Sequence, residues 1–442
     1  SGSRWLPAAR SGIPVLPCAI GGHRVAHCIP MTIAAVLPPR RELWLLLTLA
    51  GIQFTHILDF MIMMPLGPQL TRLFGISDAQ FGLLVSAYTL SAGVSGLLAA
   101  TYIDRFGRKR LLMVLYVLFG LATLACGVAP TYGALMVARI LAGMFGGVLS
   151  AVGQTIIADV IPYERRGRAM GIVMTSFSVS TVAGVPLGLV VAERWGWNMP
   201  FIAIALLCGV LTMVAARVLP AMTAHVHGAS QHTVMGGIAQ VLADANHRRA
   251  FLFSALLMST GFTVIPYITI YLQANVGVQS GQIPWVYLCG GVVTLFTARL
   301  FGRMTDRHGK VTTFRWLAVA VAVPLLSVTL LGQVPLWVVL VATTLMFALM
   351  SGRMIPGMAI LTAAANPALR GTFMTLNAAV QSAAMGLASL AGGMLIQRDA
   401  QGLVKNYWMA AVLGIVASLL AWRVVGGLTL HGATQGPPKA HR

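Results

Sequence analysis

Charged residues are scarce in this 442-residue chain. Lysine, arginine, aspartate and glutamate make up 9% of it, whereas soluble domains carry about a quarter. Only ten residues are acidic, 57% are hydrophobic, and the mean hydropathy is +0.83. This composition excludes an ordinary soluble domain and indicates an integral membrane protein.

The residues that disulfide, metal or nucleotide chemistry needs are also missing. The five cysteines have neither disulfide nor metal-ligand spacing. No glycine-rich phosphate loop precedes a Lys-Ser or Lys-Thr pair, which argues against an ATP-driven pump. No nucleophile stands with a base, so we predict neither an enzyme nor a cofactor, and no bound metal.

The net charge of +20 would suit nucleic acid, but the basic residues form short clusters between apolar runs. Such clusters are typical of the positive-inside rule, so we predict a bilayer and no nucleic acid as partner. All of them fall on the side of the N-terminus, and the opposite loops are nearly uncharged. We therefore expect a multi-pass protein of the inner (cytoplasmic) membrane with both termini in the cytoplasm. The clusters are Arg105, Arg108, Lys109 and Arg110; Arg165, Arg166 and Arg168; and Arg303, Arg307, Lys310 and Arg315.

Apolar runs of membrane-spanning length predict twelve helices and hence an all-α membrane fold. The predicted spans are 43–66, 80–103, 111–129, 132–158, 168–191, 198–219, 250–273, 283–304, 313–332, 335–361, 370–396 and 405–427.

Three short segments recur about 200 residues apart, which predicts two pseudo-symmetric six-helix bundles with a binding site between them. The pairs are 104–108 with 306–310, 162–167 with 367–371, and 75–77 with 277–279.

The spans and repeats predict five regions. An N-terminal extension that we expect to be disordered precedes the first bundle. Its residues 1–30 lack periodicity and an initiating methionine, so we interpret them as an upstream mis-start or a disordered tail. The linker contains a histidine cluster whose irregular spacing favours a solvated segment over a metal site. The regions are 1–39 (extension), 40–219 (first bundle), 220–249 (cytoplasmic linker), 250–427 (second bundle) and 428–442 (tail).

Asp59 is the one acidic residue deep inside a predicted span. A carboxylate there costs a few kcal/mol, so intramembrane acids mark functional sites by default. His56 stands one turn earlier, and Gln53 one turn before that. A group that can gain and lose a proton inside the membrane is what a proton-coupled carrier needs.

The loop from Tyr102 to Lys109, repeated in the second half, resembles the signature loop of the major facilitator superfamily. The resemblance covers nearly all of 40–427. It implies two six-helix bundles, a small-molecule substrate and a monomer.

Three further motifs resemble the drug:proton antiporter branch of that family. Arg139 with Gly143, Gly146 and Gly147 is similar to its Arg-plus-glycine motif, which is tied to proton coupling in exporters. The segment 58–68 resembles the acidic first-helix motif. The segment 184–188 is a degenerate antiporter motif, because Val185 separates glycine from proline.

Asp59, Arg139 and His56 are therefore the predicted proton-coupling residues. The resemblance places the first and fourth helices around one cavity, so we expect Asp59 and Arg139 to face each other. A static ion pair that only holds helices together is the alternative. His56 could relay a proton or simply line the cavity.

The repeated loops predict a conformational gate. A carboxylate at a helix end can accept backbone N–H bonds of a neighbouring helix, in one state and not in the other. Charges that only set topology are the alternative. The candidate gate residues are Asp104, Arg105, Gly107, Arg108, Asp159, Asp306, Arg307 and Gly309.

Polar and flexible side chains on several spans are candidate substrate contacts, although ordinary helix packing explains such residues as well. Pro266 and Gly261 would let the seventh helix bend. Arg353 could meet an anionic substrate or extend to the cytoplasmic surface. The candidates are Gln53, Met63, Thr263, Tyr267, Asn377, Gln381 and Arg353.

These observations favour a proton-driven exporter of small apolar or cationic molecules or metabolites that works by alternating access. A proton-coupled uptake symporter for a sugar or metabolite stays open, as does a membrane sensor on the same fold.

Overall fold

The computed structural model describes residues 38–102, 106–161, 163–220 and 234–431. In the first half the helices are α1 (Pro39–Ile62), α2 (Gly67–Phe74), α3 (Asp78–Tyr102), α4 (Arg108–Gly127), α5 (Tyr132–Val160), α6 (Tyr163–Val179), α7 (Val185–Trp195) and α8 (Met199–Val218). In the second half they are α9 (Val234–Ala243), α10 (Ala245–Phe262), α11 (Ile268–Tyr271), α12 (Ile283–His308), α13 (Lys310–Ala320), α14 (Ala322–Thr329), α15 (Leu336–Ala364), α16 (Arg370–Leu395) and α17 (Tyr407–Val424).

Twelve stretches within the described residues are long and apolar enough to span a membrane, which confirms the predicted all-α fold. Spans one to four are α1, α3, α4 and α5, and span six is α8. The fifth span joins α6 and α7, the seventh joins α10 and α11, and the ninth joins α13 and α14. Spans eight, ten, eleven and twelve are α12, α15, α16 and α17. A two-stranded antiparallel hairpin, β1 (Gln397–Arg398) and β2 (Val404–Lys405), links the last two spans.

A proline lies at or just after the interruption in each of the three spans that consist of two helices, namely the fifth, seventh and ninth. It has no N–H to donate, so the helix must bend or change its hydrogen-bond pattern just before it. A π-helical turn, Ser180–Gly184, precedes Pro186, and α10 ends at Phe262 before Pro266. α13 and α14 meet at Val321, ahead of Pro324. The predicted bend of the seventh helix is thus present.

The repeated segments 75–77 and 277–279 form the same local structure. Gly75 and Gly277 end the preceding helical segments with φ of +61° and +82°, a conformation that favours glycine. The side chains of Ser77 and Gln80 then bond to each other's backbone N–H groups, as Gln279 and Gln282 do in the second half. These capping boxes start the second and eighth spans.

Several helix boundaries differ from the predictions by four or five residues, and two of them have a clear local cause. α1 ends at Ile62 rather than near 66, because Pro65 cannot continue the helical hydrogen bonds. The seventh span begins at Ala245 rather than 250, because the side chain of Asp244 caps the helix by accepting from the Asn246 N–H at 2.8 Å. The predicted linker also contains α9, whose Val241 is fully buried.

The two ends of the bundle differ in charge. The turns at 106–107, 219–220 and 365–366 mark the end that we call the basic end. The turns at 63–66 and the hairpin at 397–405 mark the opposite, or far, end. The prediction that the far end is nearly uncharged is wrong, because several charged residues lie there and four of them form ion pairs. They are Arg72, Asp78, Glu193, Arg194, Arg398, Asp399 and Lys405.

The first and last six spans are in contact at several described positions. Gly291 of the eighth span packs against Val182 of the fifth, and the Ser86 hydroxyl donates to the Gly386 carbonyl at 2.6 Å. One buried apolar cluster runs through the first six spans and the far-end part of the last six. A second cluster fills the basic end of the last six spans, and among the described residues Leu97 is the one first-half side chain packed on it. In the described part of the chain, contacts between the halves reach from the far end to the middle of the bundle, where Gly93 packs against Ser382.

Candidate functional site

Asp59 and Arg139 form a buried ion pair between the first and fourth spans. Both side chains are 0% exposed, and Arg139 Nη1 donates to Asp59 Oδ2 at 3.0 Å. The same nitrogen lies 3.3 Å from the Asp59 carbonyl oxygen. Asp59 is in the last turn of α1 rather than at the predicted mid-span depth, because that helix ends early. The residues that follow it, Met63 and Met64, are nevertheless buried, so the pair is enclosed.

The glycines after Arg139 explain how the fourth span reaches the second. A Cβ on Gly143 would collide with the backbone of Tyr88, and one on Gly147 with the backbone of Ala92. Small residues at this spacing allow close helix approach in membranes. The motif therefore sets the distance between the second and fourth spans, and with it the position of Arg139.

Gly146 makes room for two other side chains of the site. A Cβ there would meet the imidazole of His56 and the hydroxyl of Tyr88. His56 lies against Tyr88 and Phe119, with ring centroids 6.2 and 5.9 Å away. Neither of its ring nitrogens has a hydrogen-bond partner in the structure.

Carboxylate and guanidinium in this ion pair are joined by one hydrogen bond, and both groups have further polar atoms that form none. Asp59 Oδ1, Arg139 Nε and Arg139 Nη2 are buried without partners. Thr123 lies near the carboxyl group, but its hydroxyl forms no well-formed hydrogen bond. Burial disfavours the charged carboxylate and Arg139 favours it. A free carboxylate oxygen between these opposing influences can accept a proton.

Tyr88 of the second span covers the arginine. The Arg139 Cζ atom lies 4.2 Å from the centroid of the Tyr88 ring, which is a cation–π contact. Tyr88 was not among the sequence candidates, because a tyrosine in an apolar span carries no motif of its own.

The candidate gate residues are only partly within the described residues. Asp104 and Arg105 lie outside them, and so does the side chain of Asp159. In the second copy of the loop, Asp306 and Arg307 are exposed at the basic end.

The two glycines of the repeated loop differ in conformation. Gly309 has a φ of +87°, which favours glycine, whereas Gly107 has an ordinary φ of −60° before α4. Arg108, the next residue, is 4% exposed and participates in a contact. The gate function of this loop stays a prediction.

Three candidate substrate residues are packed inside the protein. Met63 and Thr263 are 0% and 1% exposed. The Tyr267 hydroxyl donates to the Ser389 carbonyl at 2.5 Å, in a space that Gly82 and Gly393 leave open. Their positions support a packing role, since none faces an open space.

Gln53, Asn377 and Gln381 are placed differently. Gln53 is partly exposed. Asn377 is 2% exposed, and its side-chain oxygen has no partner. Gln381 Nε2 donates to the Ser254 hydroxyl at 3.1 Å. Asn377 thus keeps a free acceptor in a buried position of the eleventh span.

Arg353 is 2% exposed within the last six spans. Its Nη2 donates to the Leu257 carbonyl at 2.6 Å, and Nη1 lies 3.4 Å from the Ser418 hydroxyl. It forms no ion pair with a described acidic residue. The side chain ties the seventh, tenth and twelfth spans together instead of extending to the surface.

A second arginine–carboxylate pair, missed by sequence reasoning, joins the two halves at the far end. Arg398 of the hairpin donates from Nε and Nη2 to the two oxygens of Asp78, at 2.8 and 2.6 Å. These hydrogen bonds raise the pKa of Arg398, although its partial burial opposes the shift. Asp78 is the first residue of α3, where an acid also suits the helix dipole, so its local sequence suggested no distant partner.

Twelve candidate spans around a buried ion pair define the chain as a multi-span membrane protein. The family model of the Major Facilitator Superfamily matches residues 49–248 and 250–440. The chain belongs to the major facilitator superfamily, as the sequence resemblance predicted, and this is a family of transporters rather than enzymes.

Relatives and solved structures agree with this assignment. An uncharacterized MFS-type transporter, YtbD of Bacillus subtilis (strain 168), is 24% identical over 77% of this chain and 84% of its own length. A chloramphenicol efflux pump of Mycobacterium tuberculosis is 26% identical over 53% of this chain and 56% of the pump. The crystal structure of a D-xylose-proton symporter has a TM-score of 0.71 at 18% identity, covering 88% of this chain and 99% of that one.

Proposed function

We propose that this protein is a proton-coupled exporter of small apolar or cationic molecules or metabolites. The observation that carries the proposal is the Asp59–Arg139 pair, which is fully buried yet leaves Asp59 Oδ1 without a partner. Such a carboxyl group can take a proton on one side of the membrane and release it on the other as the halves rearrange. The similarity to a chloramphenicol efflux pump supports export.

The basic end would face the cytoplasm, in keeping with the positive-inside rule. Arg40, Arg41 and the arginines near 303–315 lie at that end. The bacterial relatives support an inner membrane, and a monomer is the expected working unit.

Proteoliposomes that contain a pH dye test the proposal. A substrate panel is applied to the native chain, to Asp59→Asn and to Glu193→Gln, which removes an exposed acid outside the candidate site as a matched control. Proton movement that depends on substrate, persists in Glu193→Gln and vanishes in Asp59→Asn is the expected result. Equal proton movement in all three proteins would contradict the proposal.

The direction of coupling separates the alternatives. Protons and substrate moving in opposite directions would indicate an exporter, and movement in the same direction an uptake symporter. Binding of a substrate without transport of it would indicate a sensor.

A further inference from the structure

Three aromatic rings lead from the buried ion pair to the other half of the protein. Tyr88, which covers Arg139, stacks on Phe60 with centroids 5.4 Å apart and ring planes 24° apart. Phe60 in turn stacks on Phe262 at 6.0 Å and 25°. We call Tyr88, Phe60 and Phe262 the aromatic bridge. Its members come from the second, first and seventh spans, so it crosses from the first half to the second.

The far end of the bridge reaches a break in the seventh span. Phe262 is the last residue of α10, and a 3₁₀ turn containing Pro266 follows. A broken helix can change direction there without losing the packing of its two pieces. Phe60 and Phe262 are only partly buried, whereas Tyr88 is 3% exposed. The contact between the halves is therefore where the bridge can separate.

The near end of the bridge responds to the charge of Asp59. When Asp59 takes up a proton, Arg139 loses its ionic partner, and the guanidinium group is then stabilised by the face of Tyr88 and by the Asp59 carbonyl oxygen, 3.3 Å from Nη1. Phe60 follows Asp59 directly in the chain, so any shift of that turn also moves the ring.

Other titratable groups face the pair from the neighbouring spans. His56 is on the helix of Asp59, Cys126 is on the third span, and Cys208 is on the sixth. The ring contacts of Tyr88 and Phe60 connect the pair to Phe262 of the seventh span.

We infer that Tyr88 is a positioning residue for Arg139, and that the aromatic bridge couples the charge state of the ion pair to the bending of the seventh span. The inference rests on the proposed proton coupling and adds to it the physical route between the halves. A route of this kind requires measured coupling, since contact alone does not establish it.

The opening of the basic end provides that measurement. Spin labels at Arg110→Cys and Arg370→Cys, both exposed positions at the basic end, report the ratio of open to closed states in an otherwise cysteine-free protein in lipid. Asp59→Asn imitates the protonated acid. With the native rings it is expected to change the ratio about fivefold or more, the lower limit of typical coupling between sites. With Phe262→Leu it is expected to change the ratio less than about twofold.

A matched control removes a stacked ring elsewhere. Phe251 stacks on Phe373 at 4.9 Å, inside the second half. Phe251→Leu should keep the full effect of Asp59→Asn. If Phe262→Leu fails to fold, Tyr88 provides a second series: Tyr88→Phe keeps a ring face for Arg139 and should keep the effect, whereas Tyr88→Leu should lose it.

The outcomes distinguish this inference from the proposed function. An undiminished effect of Asp59→Asn in both Phe262→Leu and Tyr88→Leu overturns the bridge, while loss of proton transport in Asp59→Asn still supports proton coupling. If Asp59→Asn changes neither the ratio nor proton transport, both are wrong. A lost effect in the Leu variants, with the controls intact, supports the bridge.

Discussion

Two of the arginine–carboxylate pairs among the described residues differ in burial and geometry. Asp59 and Arg139 make one hydrogen bond between carboxylate and guanidinium, inside the first half, with both side chains 0% exposed. Asp78 and Arg398 make two, between the halves, and the Arg398 side chain is 34% exposed. The buried pair has unused hydrogen-bonding groups, whereas the pair at the far end is bidentate and within reach of water.

The difference indicates which of the two pairs would respond more strongly to protonation of its carboxylate. A bidentate contact near water is geometrically satisfied and gains little from rearranging. A buried charge is costly to leave unpaired. Protonation of the acid in a fully buried single contact therefore changes the electrostatic free energy of its partner strongly. The buried pair therefore suits coupling, and the pair at the far end suits holding two surfaces together.

The largest expected effect comes from removing one partner of the buried pair. Arg139→Met leaves the Asp59 carboxylate buried and unpaired, and should lower the free energy of unfolding by about 3–5 kcal/mol. Denaturant titration in detergent measures this. The double variant Asp59→Leu, Arg139→Met should recover most of the stability but no proton-coupled transport. If the double variant transports normally, the pair is only structural.

A smaller loss is expected from the glycine that positions Arg139. Gly143→Ala brings a Cβ against the backbone of Tyr88, and should cost about 1–3 kcal/mol through overpacking. Gly153→Ala on the same helix meets open space and should be neutral or stabilising by up to about 1 kcal/mol. Equal unfolding free energies for the two variants would show that close packing of the second and fourth spans does not constrain the site.

Breaking the pair at the far end should have a modest effect. Asp78→Asn should lower the free energy of unfolding by about 1 kcal/mol, because Arg398 is partly solvated. High salt should remove much of this difference, since exposed charges are screened. Unfolding at low and high sodium chloride checks both points. A loss as large as that of Arg139→Met would mean that the two pairs are energetically alike.

The smallest effect is expected for a pair within the same hairpin. Asp399 and Lys405 lie 3.6 Å apart, and the lysine side chain is 64% exposed. Lys405→Gln should change the unfolding free energy by well under about 1 kcal/mol. It is the matched control for Asp78→Asn, because it removes a charge from the same end without separating the halves.

Much of the fold was predictable because it depends on local pattern. Apolar runs and their breaks predict twelve spans, and Pro266 with Gly261 predicts the bend in the seventh. The boundaries were less accurate, since Pro65 ends α1 early and Asp244 starts α10 early. These are effects of single residues that a hydropathy window averages away.

The candidate site was predictable only in part. Asp59 and Arg139 stand out because charge inside an apolar span is rare, and the structure places them in contact. Tyr88 and Arg398 were missed for another reason. An aromatic residue in a span and an arginine in a loop are ordinary, and their partners come from distant parts of the chain.

Sequence alone determined the class of protein and the number of spans, because composition and hydrophobic run length act locally in a bilayer. It also singled out Asp59, whose part in coupling stays a prediction. Only the tertiary structure decided which side chains surround Asp59, how the halves are joined at the far end, and which groups the Arg353 side chain contacts. Those contacts depend on how helices cross, and the crossing is set by glycine and proline positions acting together across spans.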